Sequence, residues 1–115
     1  MLFICYQKCT TCKKAQKWLD ENGLSYTLRD IKADNPSAAE LRDWQQRSGL
    51  PLKRFFNTSG QLYREMELSK KLPEMSEDDM FKLLASDGML VKRPLLITAN
   101  TVLTGFKEED WRKAL

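Results

Sequence analysis

The sequence predicts an α/β domain: a mixed four-stranded sheet with flanking helices, and a helical block set between two strand-bearing halves. Three observations predict it. Residues 2–31 run from an apolar segment through an amphipathic one to a second apolar segment, a β-α-β unit of about thirty residues. Residues from about 36 to 90 carry helix caps and helical spacing. Residues 94–115 hold two short apolar segments joined by a tight turn, then an amphipathic end, which reads as β-β-α.

Each element has its own signal. Leu2-Phe3-Ile4-Cys5-Tyr6 is a continuous apolar run, as a strand covered on both faces requires. A helix begins near Thr10 or Thr11. Cys12, Ala15 and Leu19, with Trp18 beside them, form its apolar stripe, while Lys13, Lys14, Lys17, Asp20 and Glu21 take the other face. Gly23 stops it as a C′ residue. Ser25–Ile31 reads as the second strand, with Tyr26, Leu28 and Asp30 on alternate positions, and it should run parallel to the first.

In the middle of the chain, Ser37 with Glu40 fits a capping box, Leu41 and Trp44 mark the buried side, and Gly49 ends the helix. Phe55 and Phe56 anchor a short turn, and "FNTSG" (56–60) has the residues of a loop. A further helix is expected from about Gln61 to Glu67. Ser76 with Asp79 caps another, with Met80, Leu83 and Leu84 as its stripe and Gly88 at its close. Pro94–Thr98 and Thr101–Thr104 read as strands joined through Ala99-Asn100, and Lys107–Leu115 as the last helix.

Composition bounds the function. The chain has 115 residues, the size of one ordinary domain, and a net charge of +3. That charge is mild for a nucleic-acid binder, which concentrates Lys and Arg more strongly. It gathers locally at Lys8, Lys13, Lys14 and Lys17. No apolar run approaches membrane-spanning length, and Met1–Tyr6 is too short for a secretory leader, so the expected location is the cytoplasm, where thiols stay reduced. There is no histidine and there are three cysteines. A single chain therefore offers no Cys–His catalytic pair, no mixed Cys/His zinc site and no four-cysteine zinc site.

"QKCTTCKK" (7–14) carries the chemistry. Its Cys-x-x-Cys has three readings: a reactive dithiol, two buried core cysteines, or half of a zinc site shared between subunits. The strand-to-helix context favours the first, since this motif near a β-α-β unit reads as a thioredoxin-like redox motif. Cys9 would sit at the helix N-terminus, where unpaired N–H groups, the helix dipole and the neighbouring lysines favour a thiolate, the form that attacks. Cys12 would lie one turn on, on the buried side, with its pKa less depressed. That asymmetry suits Cys9 as nucleophile and Cys12 as resolving thiol. Cys5, within a strand, reads as a core residue.

The second feature is "KRPLLIT" (92–98). A proline opening a strand is either an ordinary trans residue at a strand entrance or a cis one at Arg93–Pro94. Arg93 is either a solvated strand-end charge or a fork aimed at an anion or thiolate near Cys9.

Four segments, in order, now carry a resemblance: "CTTCKKAQKWL", "SGLPLKRFFNTSG", "DGMLVKRPLLI" and "LTGFKEEDW". Together they resemble the arsenate reductase-like (ArsC/Spx) family, which includes the Spx-type transcriptional regulators. The resemblance covers nearly the whole chain. It implies a thioredoxin-like fold for a single domain, 1–115, with a helical insertion at about 36–90. It also implies a cis bond at Arg93–Pro94, with Pro94 placed opposite the Cys-x-x-Cys. The catalytic candidates are Cys9, Cys12 and Arg93; the substrate-binding ones are Thr11, Lys13 and Pro94; no metal ligand is expected.

The same family divides in function. Its arsenate reductases use one cysteine, matching Cys9, and three arginines, of which Arg93 matches one while Asn57 and Phe106 stand at the other two positions. Its Spx-type regulators share the Cys-x-x-Cys, a glycine that looks like Gly49, and the Arg-Pro pair; they bind the RNA polymerase α subunit and use the disulfide as a switch. The expected function is a thiol–disulfide oxidoreductase acting on a small thiol, an oxyanion or a protein disulfide. It would use no bound cofactor, and its electrons would come from glutathione with glutaredoxin, or from thioredoxin. A redox-sensing regulator on RNA polymerase and a true arsenate reductase are the alternatives. Direct nucleic-acid binding and a membrane role are not expected.

Overall fold

A computed structural model describes all 115 residues. β1 (Leu2–Cys5), α1 (Thr10–Glu21) and β2 (Thr27–Asp30) form the first half. α2 (Ala38–Ser48), α3 (Gln61–Glu65), α4 (Leu68–Lys71) and α5 (Glu77–Ser86) follow, with 3-10 turns at Leu52–Phe55, Leu72–Glu74 and Gly88–Leu90. β3 (Leu95–Ile97), β4 (Val102–Thr104) and α6 (Glu108–Ala114) complete the chain. The sheet order is β2-β1-β3-β4. β1 pairs parallel with β2, while β1–β3 and β3–β4 are antiparallel. No helix is long and apolar enough to cross a membrane.

The period-2 alternation of β1 and β3 sorts the core into two layers. Phe3 and Leu96, opposite each other in the register, face α1 and α6 with Cys5, Cys12, Ala15, Trp18, Leu19 and Trp111. Ile4 and Leu95, also opposite, face the helical middle and its larger core, which includes Leu41, Trp44, Phe55, Phe56 and Phe81. The central strands are therefore covered on both sides, which is why Leu2–Cys5 reads as an unbroken apolar run.

β2 is shorter than the sequence predicts, and its alternation does not mark a buried face. Leu28 pairs with Phe3 but is 50% exposed, because β2 is an edge strand lying beyond the cover of α1 and α6. The buried anchor is Ile31, just past the strand, fully enclosed against the other layer.

Helix ends follow the predicted chemistry. Gly23 and Gly49 take left-handed φ values of 67° and 69°, which suits residues at helix C-termini. Ser37 and Glu40 form the reciprocal capping box, and the Ser76 hydroxyl accepts from Asp79 N–H. Gly88 has a different reason for being glycine. α5 already ends at Ser86, and a Cβ on Gly88 would lie 2.0 Å from the Ile31 carbonyl oxygen. Close backbone approach, not helix termination, excludes a side chain there. The helix expected at 61–67 breaks at Glu67, whose φ is 54°. Tyr63 and Leu68 are both buried, and residues five apart would point about 140° apart on one continuous helix. The break lets both reach the core.

An ion pair ties the edge strand to the helical middle. Arg29 Nη1 and Nη2 donate to Glu40 Oε2 and Oε1 at 2.7 and 3.0 Å, and Glu40 Oε1 also accepts from Ser37 N–H. The Arg29 fork, opposed by burial, pulls the Glu40 pKa down from 4.5 to about 2. A depressed carboxyl contributes stability above its unfolded pKa, and that contribution disappears as pH falls through the folded value. Glu40 is 38% exposed, so screening holds the effect to about 1 kcal/mol. The difference in urea midpoint between wild type and Glu40→Gln should be full at neutral pH and vanish as pH falls from 4.5 to about 2.

Candidate functional site

β1 ends at Cys5, and a turn closed by Cys9 N–H to the Tyr6 carbonyl (3.0 Å) delivers Cys9 to the start of α1. Cys9 is the N-cap: its backbone is extended (φ −90°, ψ 120°) and its sulfur accepts the Cys12 N–H at 3.5 Å. The sulfur thus occupies the place a capping oxygen usually takes, facing the open N–H groups of the first turn. Cys9 is half-buried. Cys12, one turn on, is 2% exposed and accepts the Tyr6 N–H at 3.4 Å. All three cysteines are free thiols.

Arg93 comes from the segment just before β3, and the Arg93–Pro94 bond is cis. Its guanidinium stands beside the Cys9 sulfur and 5.3 Å from the centre of the Tyr6 ring. Nε and Nη1 are buried and have no hydrogen-bond partner in the protein. Arg93 as a whole is half-buried, and two buried donors without partners are a costly arrangement. Pro94 itself is buried, with its carbonyl accepting Gly105 N–H at 2.8 Å.

The two thiols are driven apart in acidity. For Cys9, burial raises the pKa, but the Cys12 N–H, the Cys12 thiol and the Arg93 guanidinium outweigh it and hold Cys9 below its ordinary value. For Cys12, burial dominates and pushes the pKa up to about 12. The Tyr6 N–H opposes this, and negative charge on Cys9 and on Cys5 adds to it. Cys5 is also raised, chiefly by burial. The sequence offered the neighbouring lysines and Arg93 as sources of positive charge at Cys9. Lys8, Lys13 and Lys14 are all exposed, and the cation beside the sulfur is Arg93.

Cys9 and Arg93 open onto a cleft of about 330 Å³. Thr11 lines it; Lys13 and Pro94 do not. Three cations that sequence reading did not assign to the site line it as well: Arg54 from the 3-10 turn before Phe56, Lys92 beside Arg93, and Lys107 at the N-cap of α6. None of these three, nor Arg93, forms a salt bridge. Their only trace in the sequence is that each falls inside a family-like segment next to a position already singled out. Asn57 and Phe106 also line the cleft. Phe106 offers a ring held against Trp111 (centroids 5.0 Å apart) instead of a cation. No group of three or more cysteine, aspartate or glutamate side chains converges as a metal site.

A strand, a Cys-x-x-Cys capping the following helix, a second parallel strand and a β-β-α half opened by a cis-proline define a thioredoxin-like fold, here with helices inserted between the halves. Within it the chain belongs to the ArsC family, whose model matches residues 5–114. It is 50% identical over 113 residues to the uncharacterized protein YusI of Bacillus subtilis, across 98% of this chain and 96% of that one. The crystal structure of a possible arsenate reductase from Streptococcus mutans is 46% identical, with a TM-score of 0.88 and coverage of 96% of each chain. Global transcriptional regulator Spx 2 of Bacillus anthracis is 24% identical over 107 residues, covering 93% of this chain and 80% of the regulator.

Proposed function

We propose that the chain is a thiol–disulfide oxidoreductase. The observation that carries this reading is the placement of the two thiols, Cys9 half-buried as the cap of α1 beside Arg93 and Cys12 2% exposed one turn on, which drives their acidities apart. The Cys9 thiolate attacks one sulfur of a disulfide R–S–S–R′. A Cys9–S–S–R bond forms, and R′–S⁻ leaves and takes a proton. Cys12 then attacks the Cys9 sulfur, expelling R–S⁻ and leaving a Cys9–Cys12 disulfide.

Burial chiefly holds Cys12 as a thiol, and the charge on a Cys9 thiolate raises its pKa further. Once Cys9 is in a mixed disulfide the charge is gone, the Tyr6 N–H still points at the Cys12 sulfur, and the departing thiolate takes the proton. The first step thus removes the charge that adds to the effect of burial on Cys12. Two electrons from glutathione with glutaredoxin, or from thioredoxin, then restore the dithiol. The unpaired Arg54, Lys92, Arg93 and Lys107 suit a substrate bearing negative charge, such as a glutathione mixed disulfide.

The test is turnover of such a disulfide with a thiol donor. Cys9→Ser should abolish it, and Cys12→Ser should accumulate the mixed disulfide on Cys9, seen by intact mass. Wild type that turns over with neither donor sinks the proposal. A redox-switched regulator is the second reading, carried by the resemblance of Gly49 to the glycine of the Spx-type regulators. Gly49 is exposed, and its φ of 69° at the end of α2 also accounts for it as a helix stop. Capture of the RNA polymerase α C-terminal domain that is lost in Gly49→Asn, which tolerates left-handed φ, would establish it. Arsenate-dependent oxidation of a thiol donor, lost in Cys9→Ser, would instead establish an arsenate reductase.

A further inference from the structure

The site rests on one residue whose side chain the proposed chemistry does not use. The Tyr6 backbone touches both cysteines: its carbonyl accepts the Cys9 N–H at 3.0 Å, and its N–H donates to the Cys12 sulfur at 3.4 Å. Its side chain touches the third member, with the Arg93 guanidinium carbon 5.3 Å from the ring centre. Arg93 has no carboxylate to hold it: it forms no salt bridge, and Nε and Nη1 are buried without a hydrogen-bond partner.

We propose that Tyr6 is a positioning residue, whose ring holds the unpaired Arg93 guanidinium against the Cys9 sulfur by a cation–π contact. A carboxylate could anchor the guanidinium more strongly, but it would neutralise the charge that Cys9 and an incoming anion need. A ring face attracts a cation through its quadrupole while leaving the N–H groups free to donate elsewhere. Tyr6 is half-buried and packs against the larger core, which restrains the ring. The arrangement couples the end of β1 to the segment before β3, the two places from which the reacting groups come.

The charged and titratable groups around Cys9 are Arg93 before β3, Cys12 on α1, Cys5 on β1, and Arg54, Lys92, Lys107 and Asp110 across the cleft. Replacing the Tyr6 ring changes none of them. It also keeps both backbone hydrogen bonds. The proposal concerns the thiolate and needs no substrate, so it stands or falls separately from the oxidoreductase reading.

The experiment is the pH dependence of alkylation of Cys9 by iodoacetamide, with the modified residue located by mass spectrometry. Tyr6→Leu and Tyr6→Met should raise the Cys9 midpoint by about half to one unit, from the usual strength of a cation–π contact. Tyr6→Phe, which keeps the ring, should titrate with wild type. Tyr6→Leu combined with Arg93→Met should shift no further than Arg93→Met alone. The proposal is overturned if both aliphatic variants titrate with wild type, if Tyr6→Phe shifts as they do, or if the two shifts add in full. Two aliphatic replacements guard against one of them misfolding, and Tyr6→Phe tests the hydroxyl separately.

Discussion

Arg93→Met should slow reaction with an anionic disulfide about a hundredfold while slowing alkylation by neutral iodoacetamide only a few-fold. The two numbers come from two jobs of one guanidinium. Beside the Cys9 sulfur, Arg93 helps hold the thiol below its ordinary pKa. Losing it raises that pKa, and at a pH below the pKa each unit costs tenfold in thiolate. A more basic thiolate is also a better nucleophile, with a Brønsted slope of about 0.4–0.5, so the net loss is about three- to fourfold per unit. Iodoacetamide carries no charge and reads this term alone.

An anionic substrate loses something more. Arg93 lines the cleft and has no carboxylate partner, and a hydrogen bond to a charged group contributes about 1.5–3 kcal/mol, or roughly ten- to a hundredfold. The acid limb of the pH–rate profile should move to higher pH in Arg93→Met for both reagents. Arg93→Lys keeps the charge but lacks the fork, and should recover more of the iodoacetamide rate than of the disulfide rate. Equal losses for the two reagents in Arg93→Met would mean that Arg93 tunes the thiol and does not bind substrate.

The order of strands and helices was readable because each end of the chain repeats a short pattern with a single solution. An unbroken apolar run at 2–5 must be covered on both faces, and an apolar stripe at 12, 15, 18 and 19 must lie on one of them. Helix ends were readable where a side chain does the capping, as Ser37, Glu40 and Ser76 do. What escaped is set by tertiary contact. Leu28 looks like a buried strand residue, and only its edge position leaves it in solvent. Gly88 looks like a helix stop, and only the Ile31 carbonyl lying against it explains the missing side chain. The break at Glu67 answers to the separate burial of Tyr63 and Leu68, which no local spacing announces.

The site divides in the same way. Cys9 and Cys12 were legible because strand, turn and helix fix where they stand within a dozen residues. Arg54, Lys92 and Lys107 arrive from three distant loops, and exposed cations look alike in a sequence. Tyr6 was counted into a strand, and its role depends on a contact with a residue eighty-seven positions away.

Trp111→Ala should cost about 3–5 kcal/mol, the usual range for a buried tryptophan truncated to alanine, the largest stability loss expected of any single change in the layer behind the cysteines. Trp111 is 1% exposed and lies edge-on to three rings, Phe3, Trp18 and Phe106, with centroids 6.3, 6.2 and 5.0 Å away. Its Nε1–H donates to the Gly105 carbonyl at 3.1 Å, a buried bond that pins the loop carrying Gly105, Phe106 and Lys107, all of which line the cleft. The helix that carries it is short, 7 residues, below the length at which a helix is stable by itself, so α6 stays docked through this side chain.

Trp111→Phe separates packing from the hydrogen bond. It keeps an aromatic wedge but leaves the Gly105 carbonyl without its donor, at a cost of about 1–3 kcal/mol for an unsatisfied buried acceptor. Chemical denaturation gives both numbers. The link to function is read in the folded Trp111→Phe protein. Substrate affinity should weaken there because the Lys107 loop is released, whereas Cys9 alkylation should keep its pH midpoint, since neither Trp111 nor Lys107 is among the groups that set it. A shift in that midpoint would show that the packing behind the sheet reaches the thiolate itself.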